Sequence, residues 1–208
     1  HHGFSKSKND KISFTFNLFN KANIIFIKNS KKNSQISFGL LPPKIEERHQ
    51  DFYVIKIFPK EIIIESESEK GRFYAINTLS QLFSYYQAKG SIPCMEITDS
   101  PKFQWRGMHL DVSRHFFPKE FIKKYIDYLA MYKMNTFHWH LTDDAGWRVE
   151  IKKYPKLTDV GAWRARSMIG KYKDDQYEEK KYGGFYTQED IKEIVKYASE
   201  RHITIVPE

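Results

Sequence analysis

The pattern of apolar and polar positions changes rhythm twice along this 208-residue chain. In residues 11–20, Ile12, Phe14, Phe16 and Leu18 share one parity, the period-two signature of a half-buried strand. Residues 23–28 and 35–40 predict two more short strands, and Leu41-Pro42-Pro43 interrupts the run. Residues 52–58 and 61–65, joined through Pro59-Lys60, predict a hairpin. The spacing then becomes helical. Phe73, Ile76, Leu79, Leu82, Phe83 and Tyr86 recur every three or four positions and predict an amphipathic helix over 71–87, lying against the preceding sheet. Gly90 and Pro93 mark its exit, and residues 92–98 return as a strand. Several strands with one long helix make a small α+β domain over residues 1–99.

After Asp99-Ser100-Pro101 strands and helices alternate. Residues 105–112 predict a strand. Residues 118–132 predict a helix with Pro118 in its first turn and Phe121, Ile122, Tyr125, Ile126, Leu129 and Tyr132 facing inward. Residues 135–141 predict a second strand, and a long loop follows from 142 to about 186. A helix over 187–201 opens on Thr187 and Asp190, spaced as a capping box, and 203–207 predict a third strand. This is a parallel βα series over residues 100–208. Pattern alone leaves a doubly wound sheet and a (β/α)8 barrel equally open. The chain shows no internal repeat and no low-complexity segment.

Composition narrows the class. With 40% hydrophobic and 29% charged residues the chain is not disordered throughout. No apolar run approaches the ~18 residues of a membrane span. A single cysteine, Cys94, excludes both an internal disulfide and a four-cysteine zinc site. The net charge of +8 is concentrated in residues 1–50, but the lysines there are scattered among Asn, Ser and Phe. That favours a solvated surface over a nucleic-acid interface. The chain opens on His1-His2-Gly3 and closes on a strand, the expected marks of a piece of a longer protein.

Chemistry in parallel βα folds gathers at the carboxyl ends of the strands. Three polar clusters fall there: Asp111-Val112-Ser113-Arg114-His115, His138-Trp139-His140-Leu141-Thr142-Asp143-Asp144, and Pro207-Glu208. Arg114 suits either vicinal hydroxyls or a salt bridge with Asp111 or Asp143. His138 and His140 share a strand face, either as zinc ligands or as hydrogen-bonded histidines beneath a site. Adjacent Asp143 and Asp144 point apart on a loop, one toward the site and one capping a turn. Trp139, Trp147 and Trp163 offer broad apolar faces to a sugar ring, or pack the core.

Trp105-Arg106-Gly107-Met108-His109-Leu110-Asp111-Val112-Ser113-Arg114-His115 resembles the first barrel strand of family 20 glycoside hydrolases, the β-N-acetylhexosaminidases. The stretch from Phe137 to Arg148, then Gly161-Ala162-Trp163-Arg164, Gly183 to Ile191, and Val206-Pro207-Glu208 resemble the segments that follow. The helix near residues 71–83 is similar to the end of the family's preceding α+β domain. The resemblance implies that domain followed by the first three βα units of a (β/α)8 TIM barrel. It implies removal of terminal non-reducing β-linked N-acetylglucosamine or N-acetylgalactosamine with retention, the substrate's own acetamido group attacking the anomeric carbon.

By the same resemblance Arg114 binds hydroxyls of the non-reducing sugar. Asp143 joins a polar network supporting the general acid, and Glu208 plays a supporting part. The Asp-Glu pair of the reaction is expected beyond residue 208, so this piece alone is expected to be inactive. No cofactor or metal is expected. The expected partner is an N-acetylhexosamine oligosaccharide or glycoconjugate, with no nucleic acid and no membrane span; the sequence does not specify an oligomeric state. Family habit places such enzymes in the periplasm or outside the cell. Two rivals stay open: a metal-dependent hydrolase using His138 and His140, and a non-catalytic carbohydrate-binding remnant using Arg114 and the tryptophans.

Overall fold

The computed structural model describes residues 35–41 and 49–208. The strands expected over 11–20 and 23–28 lie outside these residues, as does most of the Leu-Pro-Pro segment. The described residues fall into two compact units, one ending at Gln104 and the other running from Trp105 to Glu208.

Among its described residues, the first unit holds a four-stranded sheet and one α-helix. Strands β1 (Gln35–Gly39), β2 (Tyr53–Ile57), β3 (Glu61–Ser66) and β4 (Met95–Asp99) are ordered β1-β3-β2-β4. The predicted hairpin is present: β2 and β3 are antiparallel, with Ile57 opposite Ile62. Strand β1 instead runs parallel to β3, at the edge of the sheet formed by the described residues. Helix α1 (Glu69–Tyr86) starts two residues before the predicted point, because the Ser68 hydroxyl accepts the Gly71 N–H and caps it. Its Tyr74, Ala75, Leu79 and Phe83 bury against Tyr53, Ile55, Ile57, Ile62 and Ile64. Polar contacts here serve the sheet. Lys56 Nζ pairs with Glu65 (2.9 Å) on the neighbouring strand. The Tyr53 hydroxyl donates to Asp99 (2.5 Å) and lies 2.7 Å from Thr78 Oγ1. Burial, then the bond to Asp99, pushes the Tyr53 phenol well above its ordinary range.

The second unit is built on three parallel strands, β5 (Gly107–Asp111), β6 (Thr136–His140) and β13 (Thr204–Pro207), in spatial order β13-β6-β5. Helix α2 (Lys119–Met131) links the first two, and α4 (Gln188–Ser199) precedes the third. The helices pack side by side. Lys119 bridges Asp190 (2.7 Å) and Glu193 (2.8 Å), Lys123 also pairs with Glu193, and Arg201 Nε donates to Asp127 (2.7 Å). The capping box of α4 forms as spaced, with the Thr187 hydroxyl accepting the Asp190 N–H (3.0 Å) and the Asp190 carboxylate accepting the Thr187 N–H (3.1 Å).

Three details differ from the sequence reading. Pro118 is the N-cap of α2, extended at ψ 158°, not a first-turn residue. The buried stripe of α2 is the narrower Ile122, Ile126, Leu129 and Ala130; Phe121 and Tyr132 are exposed, Phe121 stacking on Phe117 at 4.6 Å. The region expected as one long loop contains six short strands, one α-helical turn and a 3-10 turn at Tyr172–Asp174. β7 (Thr142–Asp143) pairs with β8 (Gly146–Trp147). After α3 (Lys156–Asp159), β9 (Trp163–Arg164) pairs with β12 (Tyr182–Gly183), and β10 (Ser167–Ile169) with β11 (Gln176–Glu178). Strands of two or three residues are too short to show a period.

Candidate active site

Alternation along β6 divides the residues of the parallel sheet. Phe137 and Trp139 are wholly buried, Phe137 5.4 Å from the Tyr125 ring of α2 and Trp139 4.7 Å from that of Tyr186. His138 and His140 lie on the opposite face beside His109 of β5, with ring centroids 4.7 and 5.6 Å from His109. Trp139 is therefore a core residue and offers no face to a sugar. Trp147 is half-buried with its indole N–H donated to the Val149 carbonyl (2.7 Å), and Trp163 is 40% exposed beneath the Lys181 ammonium.

The carboxyl ends of β5, β6 and β13 bring the predicted site residues together. The Asp111 carboxylate accepts the backbone N–H groups of Ser113 (2.9 Å) and Arg114 (3.0 Å) and pairs with Arg114 Nη1 (2.8 Å). Arg114 Nη2 lies 2.7 Å from Asp143. Asp143 is 3.1 Å from His140 Nε2 and accepts the Asp144 N–H (2.7 Å). Asp143 thus both caps the turn and faces the site, while Asp144 is exposed. His140 Nε2 also lies 3.2 Å from the Thr142 carbonyl. Two acceptors at one ring nitrogen identify it as the N–H donor. His138 Nε2 and Glu208 Oε2 are hydrogen-bonded at 2.5 Å. The Glu208 backbone is held in place as well, its carbonyl accepting the Leu141 N–H (2.7 Å).

Electrostatics follow from this geometry. Partial burial pushes the Asp111 carboxyl upward, but the backbone and guanidinium hydrogen bonds from Arg114 outweigh it and leave the group below its ordinary range. Asp143 is lowered first by the Asp144 N–H, with the charges of Arg114 and His140 adding to it. Both remain carboxylates at neutral pH, leaving Arg114 clamped between two anions with half of its side chain open to solvent.

The HxH pair alone is not the metal-like set. His109, His140 and Glu208 place possible ligand atoms within 4.8 Å of one another. A tetrahedral zinc with bonds of ~2.0–2.1 Å needs its ligand atoms ~3.3 Å apart, whereas His140 Nδ1 and Glu208 Oε2 are 3.9 Å apart. Glu208 is also already engaged by His138. The residues present fit a hydrogen-bonded cluster better than a metal centre.

Sequence reasoning did not single out His109, or Arg148, which is 1% exposed and donates to four backbone carbonyls around the site. A signal for Arg148 was present in Gly146-Trp147-Arg148. A β-carbon at position 146 would lie 2.4 Å from the Arg148 guanidinium carbon, so only glycine lets that side chain pass.

Comparison with known proteins decides the family. The model for glycosyl hydrolase family 20, catalytic domain, matches residues 103–208, and that for glycosyl hydrolase family 20, domain 2, matches residues 7–100. The chain belongs to glycosyl hydrolase family 20. Among its family 20 relatives, the β-hexosaminidase of Vibrio furnissii is 48% identical over 158 residues, covering 75% of this chain and 25% of that protein. The β-hexosaminidase of Porphyromonas gingivalis is 43% identical over 166 residues, covering 76% and 20%. A family 20 exo-β-N-acetylglucosaminidase from Vibrio harveyi, solved with N-acetylglucosamine, superposes with a TM-score of 0.69 at 40% identity, covering 83% of this chain and 26% of that one. The chain spans a fifth to a quarter of the length of these two curated relatives. No helix among the described residues is long and apolar enough to cross a membrane.

Proposed function

We propose that this chain is the N-terminal part of a β-N-acetylhexosaminidase that removes terminal β-linked N-acetylglucosamine or N-acetylgalactosamine from the non-reducing ends of glycans. The observation that carries the reading is the Asp111–Arg114–Asp143–His140 network at the carboxyl ends of parallel strands, in a chain of this family. In this reading, β5, β6 and β13 are the first three strands of a (β/α)8 barrel entered near residue 100. Arg114, held rigid by two carboxylates, presents its remaining donor edge to vicinal hydroxyls of the terminal sugar. Asp143 keeps that guanidinium in place and lends negative charge to the network supporting the acid. Glu208 orients His138 from the third strand. The acid glutamate and its aspartate neighbour belong to the following barrel units, and the acetamido group of the substrate is the nucleophile. A periplasmic or extracellular location fits glycan substrates.

The test is hydrolysis of an aryl β-N-acetylglucosaminide by the full-length enzyme, with the first-formed sugar anomer read by NMR. Retained β configuration is expected, and an inverted product would overturn the mechanism. The 208-residue chain alone is expected to release no sugar; measurable release by it would displace the acid from its proposed position. Stoichiometric zinc in the purified enzyme, together with loss of activity on chelation, would favour the metal-dependent alternative.

A further inference from the structure

Arg148 lies at the centre of the loops beneath Arg114, yet it has no carboxylate partner among its hydrogen bonds. Its Nε donates to the Val112 carbonyl (3.0 Å) and Nη2 to that of Ser113 (2.7 Å). Its Nη1 donates to the carbonyls of Ala162 (2.6 Å) and Gly184 (3.1 Å). A buried guanidinium hydrogen-bonded only to neutral carbonyls is costly to desolvate, and Arg164 adds a like charge nearby that the Asp111 carboxylate partly offsets. Burying the charge is nevertheless compatible with folding because three chain segments each contribute acceptors that would otherwise be unpaired.

Those segments converge on one residue. Val112 and Ser113 immediately precede Arg114. Ser113 is fully buried, and its hydroxyl donates to the Gly146 carbonyl (2.6 Å). Ala162 and Gly184 flank the β9–β12 pair, and from β9 Arg164 Nη1 donates to the Arg114 carbonyl (2.8 Å). The approach at this pair is close: a β-carbon at Gly183 would lie 2.0 Å from the Ala162 carbonyl oxygen. The backbone that aims Arg114 is thus held by Arg148 at Val112 and Ser113 and by Arg164 at Arg114 itself, from a β9–β12 pair that Arg148 also fastens.

We infer that Arg148 is a positioning residue for sugar binding, its planar fork setting the Val112–Ser113 backbone and thereby the direction of the Arg114 guanidinium. The inference rests on Arg114 contacting the sugar. Lysine cannot take its place, because an ammonium is a point donor and does not span four carbonyls lying in different directions.

The experiment is a double-mutant cycle in the full-length enzyme, reading kcat, KM and thermal midpoint for Arg148→Lys, Arg114→Ala and the pair. Arg148→Lys is expected to lower kcat/KM at least tenfold, mainly through KM. In the Arg114→Ala background the same change is expected to cost less than twofold. Equal losses in both backgrounds would overturn the inference and leave Arg148 a purely structural residue. Wild-type kinetics for Arg114→Ala would instead remove the sugar-binding role of Arg114, a separate failure. If Arg148→Lys does not fold, Arg148→Gln, which keeps two planar donors, enters the same cycle. Failure of both variants to fold assigns Arg148 to stability alone and also overturns the inference.

Discussion

The two units place their polar residues in opposite ways. In the first, charged and hydroxyl groups tie neighbouring elements together, as Lys56 does with Glu65 and Tyr53 with Asp99, around a core of isoleucine, tyrosine and leucine. In the second, apolar contacts keep to the helix-facing side of β6, while the strand ends carry a connected series of polar side chains from Asp111 through Arg114 and Asp143 to His140. An isolated pair adds modestly to stability. A network that clamps one guanidinium between two carboxylates pre-organises a donor for a ligand. The difference separates a unit whose polar contacts tie its elements together from one whose polar contacts gather at the strand ends, where the proposed site lies.

The sharpest way to test that division is to damage each unit and read both stability and activity. Leu79→Ala, at a fully buried position between α1 and the sheet, is expected to cost about 2–5 kcal/mol in urea unfolding. A cost near zero would mean that the α1–sheet contact is not a packed core. Arg114→Ala or Asp143→Asn is expected to do the reverse. Each should lower kcat/KM of the full-length enzyme at least tenfold while leaving the thermal midpoint close to wild type, and wild-type kinetics in both would dissolve the site. Thr187→Ala removes the α4 cap and is expected to cost about 1 kcal/mol of stability with KM unchanged.

The smallest effect concerns protons. The Asp111 and Asp143 carboxyls are held below 3.8, so the stability they lend is fully present above pH 3.8 and is lost as pH falls through their lowered values. Carboxyl NMR should show Asp111 titrating below 3.8 in the wild type and moving back toward it in Arg114→Ala. A wild-type Asp111 titrating at or above 3.8 would contradict the clamp.

Much of this arrangement was legible in the chain. Apolar runs on either side of Pro59-Lys60 located β2 and β3, period 3.6 located α1 and α2, and Thr187 with Asp190 marked the start of α4 in advance. The polar clusters at the strand ends drew attention to Arg114 and Asp143, whose roles came from the family resemblance; the salt bridges of Arg114 that the sequence left open are both present. The residues that escaped did so for physical reasons. Phe121 and Tyr132 have helical spacing, but the surface that would cover them is set by neighbouring elements. Trp139 could be a sugar platform or a core residue from sequence, and alternation along β6 decides for the core. The pairs β7–β8, β9–β12 and β10–β11 are too short for any periodic signal.

By itself the sequence determined the order of elements, the parallel βα series and the residue types at the strand ends, because backbone periodicity and capping are local and act within a few residues. Only the tertiary structure decided which of those residues meet. Arg148 reaches carbonyls at Val112, Ser113, Ala162 and Gly184, and His138 meets Glu208, across separations in sequence that no local pattern encodes. Directional hydrogen bonds form only where the packed sheet and its loops bring donor and acceptor within about 3 Å, and that distance is a property of the whole fold.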